Sequence, residues 1–231
     1  DLGEPSKDEI LSKDWSEYFS NLDEFKSYIN DKENQSEMCP IDDGVYVDFS
    51  SIIPNSQIRQ ISAIYHNYYN VEYIGKNDDI PYGIWFSFIT TPTREKYDYN
   101  IEKMIKSGAL NEMPIKSMSE LKDYKATTAY TWVEIGEYTL FYYSYLHTDS
   151  GRKFNNYEVI INGYIISINW NYELSADDYT PEQSEFLSAL VPQYGATDDS
   201  VVAMLDKIKA LIPSGNTPAD DAQNEVNGDV S

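Results

Sequence analysis

The stretch from Tyr124 to Tyr172 constrains the fold more than any other part of this chain. Four strand-like runs follow one another there, separated by turn chemistry at Gly136-Glu137, at Asp149-Ser150-Gly151 and at Asn162-Gly163. Asn-Gly suits a two-residue hairpin, because both central residues of that turn need positive φ. In the last run Tyr164, Ile166, Ile168, Trp170 and Tyr172 share one face, opposite Ser167, Asn169 and Asn171, which predicts a half-buried strand. Thr139 to Leu146 is apolar or aromatic on both faces and predicts a central strand covered on both sides. The pattern as a whole predicts a four-stranded antiparallel meander.

Helical periodicity frames this sheet. Trp15, Tyr18, Phe19, Leu22, Phe25 and Ile29 recur at three- and four-residue steps and predict a helix from Ser12 to Asp31. Val45 to Phe49 and Ile84 to Ile89 read as strands. Ile58 to Ile74 reads as a short helix or turn followed by a strand, and Asp98 to Ser107 as a helix that Gly108 caps. Thr180-Pro181-Glu182-Gln183 is a helix start, with Thr as N-cap and Pro at the first helical position. A last helix opens at Asp198-Asp199-Ser200 and runs to Ile212. The expected fold class is α+β: an antiparallel β-sheet, including the meander, flanked by helices. One domain is expected over residues 12–212, between a flexible segment 1–11 and a disordered acidic tail 213–231.

The run Tyr157-Glu158-Val159-Ile160-Ile161-Asn162-Gly163-Tyr164-Ile165-Ile166-Ser167-Ile168, with the polar loop and the helix Pro181 to Val191 behind it, resembles exported lipoprotein-type domains of Gram-positive bacteria. It is also similar to the sheet-then-helix ending of PsbP-like domains. The resemblance implies an antiparallel sheet with flanking helices and a non-enzymatic role at the cell envelope. It carries no site residues.

Charge narrows the function. With 39 acids against 17 bases, the formal net charge is −22. That excludes a generic nucleic-acid surface, which needs clustered Lys and Arg, and argues against adsorption to anionic headgroups. The opening Asp1-Leu2-Gly3-Glu4 reads as trimmed, by removal of a secretory leader or by choice of fragment, and an extracellular, cell-envelope location is expected. A lipid tether on a removed cysteine fits that location. No run approaches the ~20 apolar residues that span a bilayer. Cys39 is the single cysteine, so no internal disulfide forms, and it reads as a buried or half-buried thiol.

Catalytic signatures are absent from the sequence: it has no dinucleotide or phosphate loop, no zinc-protease helix and no nucleophile elbow. His147, Asp149 and Ser150 compose a triad on paper, but neighbours at a hairpin tip seldom converge as one. His66 sits among tyrosines. The acid pairs Asp42-Asp43, Asp78-Asp79, Asp177-Asp178, Asp198-Asp199 and Asp220-Asp221 lack the spacing of a calcium loop. No cofactor or metal is called for. What remains is aromatic surface: nine Tyr and two Trp fall between Tyr124 and Tyr172. Tyr and Trp combine large contact area with a polar tip, which suits recognition of a protein or a glycan. Tyr130, Trp132, Tyr142 and Tyr157 are the candidate contact residues of a non-catalytic binding domain. The alternative reading is an envelope hydrolase acting on glycan or peptide through a carboxylate pair.

Overall fold

The structure is a computed structural model. It describes residues 16–36, 39, 41, 46–64, 68–75, 83–90, 101–125, 128, 130–146, 151–171 and 173–212. Segments 1–11 and 213–231, both histidines, the turn residues Asp149-Ser150, and the pairs Asp42-Asp43, Asp78-Asp79 and Asp220-Asp221 lie outside the described residues.

Eight strands form one antiparallel sheet in the order β1-β2-β3-β4-β8-β7-β6-β5. They are β1 (Ser16–Phe19), β2 (Ile58–Ile64), β3 (Tyr68–Tyr73), β4 (Ile84–Thr90), β5 (Thr131–Ile135), β6 (Tyr138–Leu146), β7 (Lys153–Ile161) and β8 (Tyr164–Asn171). The fold is α+β, with the sheet dominant. Strands β5 to β8 pair in chain order and make up half of this larger sheet, joined to the other half where β8 pairs with β4. Asn162 and Gly163 have φ of 52° and 83°, so the β7–β8 turn has the positive φ values that Asn-Gly implies. At the β5–β6 turn Gly136 has φ of 59°, as a two-residue turn with Gly at its first central position requires.

The register divides the side chains into two faces. On one, Tyr69, Val71, Phe86, Phe88, Ile166, Ile168, Tyr157, Val159, Leu140 and Val133 align across the strands and are buried. The helices α1 (Leu22–Asn30), α2 (Met118–Asp123), α3 (Pro181–Leu190) and α4 (Asp198–Leu211) share one hydrophobic cluster with this face. Phe25 of α1 meets Tyr69, and Phe186 of α3 meets Phe86. Each helix begins on a side-chain cap: Asn21, Ser117, Thr180 and Thr197 accept from the backbone N–H three residues on. At Thr180 and Thr197 the capping box is complete. No described helix is long and apolar enough to cross a membrane.

Several expectations are corrected. Of the helix expected over 12–31, residues 12–15 lie outside the described residues, and the rest is a four-residue edge strand, β1, followed by α1; Asn21 interrupts the helix by capping α1 at Glu24 N–H. Phe19 keeps its apolar role by pairing with Ile61 of β2. Residues 46–48 form no strand, and Asp48 caps a single 3-10 turn, Phe49–Ser51. Ile58–Ile64 is a strand, not a helix or turn: a bulge between Ile58 and Gln60 breaks the alternation at its start and imitates helical spacing. β6 is not central but second from the edge, and its far end is open, with Leu146 58% exposed. β8 is buried on both faces, Ser167, Asn169 and Asn171 included.

Candidate functional site

The second face of the sheet looks away from the four helices and has a different chemistry. One cross-strand row reads Asn70, Ser87, Ser167, Glu158, Phe141, Trp132; the next reads Glu72, Trp85, Asn169, Asn156, Tyr143. Short polar side chains hold the middle, and aromatic rings hold the flank. The rings touch in sequence: Trp85–Phe154 at 4.8 Å between centroids, Phe154–Tyr145 at 5.8 Å, Tyr145–Tyr143 at 6.0 Å and Tyr143–Tyr130 at 4.9 Å. Phe154 is fully buried, whereas Trp85, Tyr145, Tyr143 and Tyr130 are half-exposed. The arc therefore offers both ring area and hydroxyls.

A cleft of about 380 Å³ opens beside this arc, lined by Ile101, Lys103, Met104, Tyr130, Phe141, Tyr143 and Glu158. Its outer wall is the helical turn at 101–106, which ends at Gly108 with φ of 74°. Tyr130 is held in place by the parallel bridge Leu110–Tyr130, its N–H donating to Ala109 O at 3.0 Å. Tyr143 stands nearly perpendicular to Tyr130, with 66° between the rings. Tyr145 donates its hydroxyl to Asn169 Oδ1 at 3.4 Å.

Two polar residues of this face stand out. Asn156 is fully buried, and neither its amide nitrogen nor its oxygen has a hydrogen-bond partner. Each such orphan group carries a desolvation cost of about 1–3 kcal/mol. Glu158 is half-buried, and burial raises its pKa above the ordinary value of 4.5. Among the described residues no cation lies within ion-pair distance of it.

The Glu158 shift has a consequence for stability. Its folded pKa lies above the unfolded one, so between the two the folded state holds more protons, and stability falls as pH rises through that window. Glu158→Gln should therefore raise the melting temperature at neutral pH. The gain should shrink as pH falls and vanish below a pH of about 4. Melts of both proteins across that range check it; an equal gain at every pH would remove ionisation as the cause.

The structure does not bring the four candidate contact residues together. Tyr130 lines the cleft. Trp132 is on the same face, half-buried, stacked on Phe141 at 6.4 Å and donating Nε1–H to Asn111 O at 3.1 Å. Tyr142 and Tyr157 point to the opposite face, in the helix-covered core. Both rings pack on Trp170, and Tyr142 donates to Asn155 Oδ1 at 3.2 Å. Tyr157 is fully buried, and its hydroxyl is unpartnered. A single patch of all four does not form, because strand side chains alternate. Tyr143, Tyr145, Trp85 and Glu158 were not singled out from sequence. The signal for Glu158 was there: it is an acid inside the apolar run Tyr157 to Ile161. Two-residue hairpin geometry at Asn162-Gly163 also sets it opposite Ser167, on the face away from Ile166 and Ile168.

Cys39 is buried in the core, as expected. Among the described residues no group of three or more His, Cys, Asp or Glu side chains is placed to hold a metal ion. Comparison with protein-family models, with curated proteins and with solved structures finds no match for the chain.

Proposed function

We propose that this chain is a non-catalytic binding domain of the cell envelope that takes a glycan on the aromatic face of its sheet. The observation that carries the reading is the arc Trp85–Phe154–Tyr145–Tyr143–Tyr130 lying against a cleft. Sugar rings offer apolar C–H faces and a rim of hydroxyls. Half-exposed tyrosine and tryptophan rings match the faces, and tyrosine hydroxyls match the rim. The extracellular location rests on the acidic, Tyr-rich composition and on the resemblance to exported lipoprotein-type domains.

Carboxylate spacing supports binding over hydrolysis. Glycosidases hold two carboxyl groups about 5–9.5 Å apart. Glu158 is the one carboxylate among the described residues that line the cleft. Glu72 lies three strands away, about 14 Å at ordinary strand spacing, and pairs with Arg59 at 3.2 Å. Glu134 is two strands away and a further two residues along the strand, about 11–12 Å at ordinary strand spacing, and pairs with Lys116.

Affinity electrophoresis through gels cast with soluble cell-wall polysaccharides tests the reading. A bound glycan should retard the chain, and Tyr143→Ala combined with Tyr145→Ala should abolish the retardation. In thermal shift, a glycan at a hundredfold over its Kd should add about 2.7 kcal/mol. Retardation by none of the polysaccharides, or retardation unchanged in the double variant, would overturn the reading.

A further inference from the structure

We propose that the cleft between the 101–106 helical turn, Tyr130 and strands β6 and β7 is an aromatic box for an organic ammonium group, with Glu158 as its counter-charge. The inference rests on the reading that this face binds a ligand, and names the chemical group that enters the cleft.

Three observations point the same way. The first is shape: Tyr130 and Tyr143 form two walls at 66° to each other, and Phe141 lies two residues from Tyr143 on the same face of β6. With Met104 and Ile101 opposite, the cleft of about 380 Å³ has room for an alkylated ammonium head and part of its substituent. The second is charge. Glu158 stands directly across from Phe141, half-buried, with no partner cation among the described residues. A carboxylate of that kind is desolvated without compensation, and a cation entering beside it supplies the compensation. The third is the pairing of the two. Aromatic faces attract ammonium groups through the ring quadrupole, and more strongly where water is excluded.

Among the described residues, the charged and titratable groups around Glu158 are few. Lys103 from the helical turn lines the cleft and is exposed to solvent; Tyr130 and Tyr143 complete the wall. Tyr145 and Tyr68 lie beyond Tyr143, and burial holds the Tyr143 and Tyr145 hydroxyls in their neutral form. Within this set Glu158 is the one carboxylate. Bound ammonium stabilises its ionised form, so binding releases a proton at pH values near the folded pKa of Glu158, and affinity falls as pH falls.

Isothermal titration of the full chain tests this. The probes are choline, butylammonium and the neutral choline analogue in which carbon replaces the nitrogen. Saturable heat is expected for choline, with the neutral analogue weaker by about tenfold or more. Butylammonium separates a primary amine from a quaternary one as the preferred form. Glu158→Gln should weaken choline by about tenfold and remove its pH dependence. Titrations in two buffers of different ionisation enthalpy should show proton release in the wild type and none in the variant. No saturable binding of either cation, a neutral analogue that binds as well as choline, or undiminished affinity in Glu158→Gln would each overturn the inference. The glycan reading fails separately: polysaccharide retardation with no ammonium binding sinks only the box, and ammonium binding without retardation sinks only the glycan.

Discussion

Phe86→Ala should destabilise the fold by about 3–5 kcal/mol, the cost of emptying an aromatic site in a close-packed core. Phe86 lies in β4, one of the two middle strands, and is fully buried. Its ring stacks on Phe49 at 4.6 Å and 7°, meets Tyr73 edge-on at 5.9 Å and touches Phe186 of α3 at 5.5 Å. These neighbours come from a loop turn, a strand and a helix, so no single element can shift to fill the void. Urea unfolding should show a lower midpoint with little change in slope. Leu146→Ala is the control: that side chain is exposed at the open end of β6, and its loss should stay within about 0.5 kcal/mol. A Phe86→Ala loss as small as that of Leu146→Ala would mean that the core is not packed around this ring.

Gly83→Ala should cost about 3 kcal/mol for a different reason, lack of room. A methyl group there would sit 2.5 Å from Tyr73 O and 2.9 Å from Gly75 N. Both are backbone atoms at the end of β3, so relief requires the β3 and β4 ends to separate. Gly151 offers the contrast. It has φ of 64° and nothing near its added carbon, so Gly151→Ala should cost only the backbone strain, about 1 kcal/mol. Paired melts should place Gly83→Ala well below Gly151→Ala, with faster amide exchange at Ile74 and Gly75. Equal losses at the two glycines would refute the steric argument.

The sequence exposed local chemistry well and tertiary pairing poorly. The Asn162-Gly163 turn, the Thr180 capping box, β4 and α4 were all legible, because each is decided by residues within a few positions of one another. β1 was hidden because Tyr18 and Phe19 fit a helical stripe as readily as a strand; only the pairing of Phe19 with Ile61 decides between them. β2 was obscured by its bulge. At the candidate site, the excess of aromatics in the β5–β8 region is visible in the sequence, but choosing among them needs a face assignment. Tyr142 and Tyr143 are adjacent in sequence and lie on opposite sides of the sheet. Strand alternation alone separates them; which of the two meets the helix-covered side depends on the β6–β7 register, set across a connection too long for turn chemistry to fix. The cleft needs residues 101–106 above the sheet, a placement that no pattern in those residues states.

The strand order has a kinetic consequence. β1 to β4 and β5 to β8 each pair strictly with their sequence neighbours, and the two halves meet only where β4 runs against β8. Pairing within a half closes comparatively short loops, whereas setting Ile84 opposite Trp170 spans both halves and bears the largest loop-closure entropy. The middle of the sheet, best buried in the finished protein, is then expected to form last. Damage along that seam should appear mainly as faster unfolding, with the folding rate little changed. A chain built this way would hold its two halves together by its most slowly made contacts.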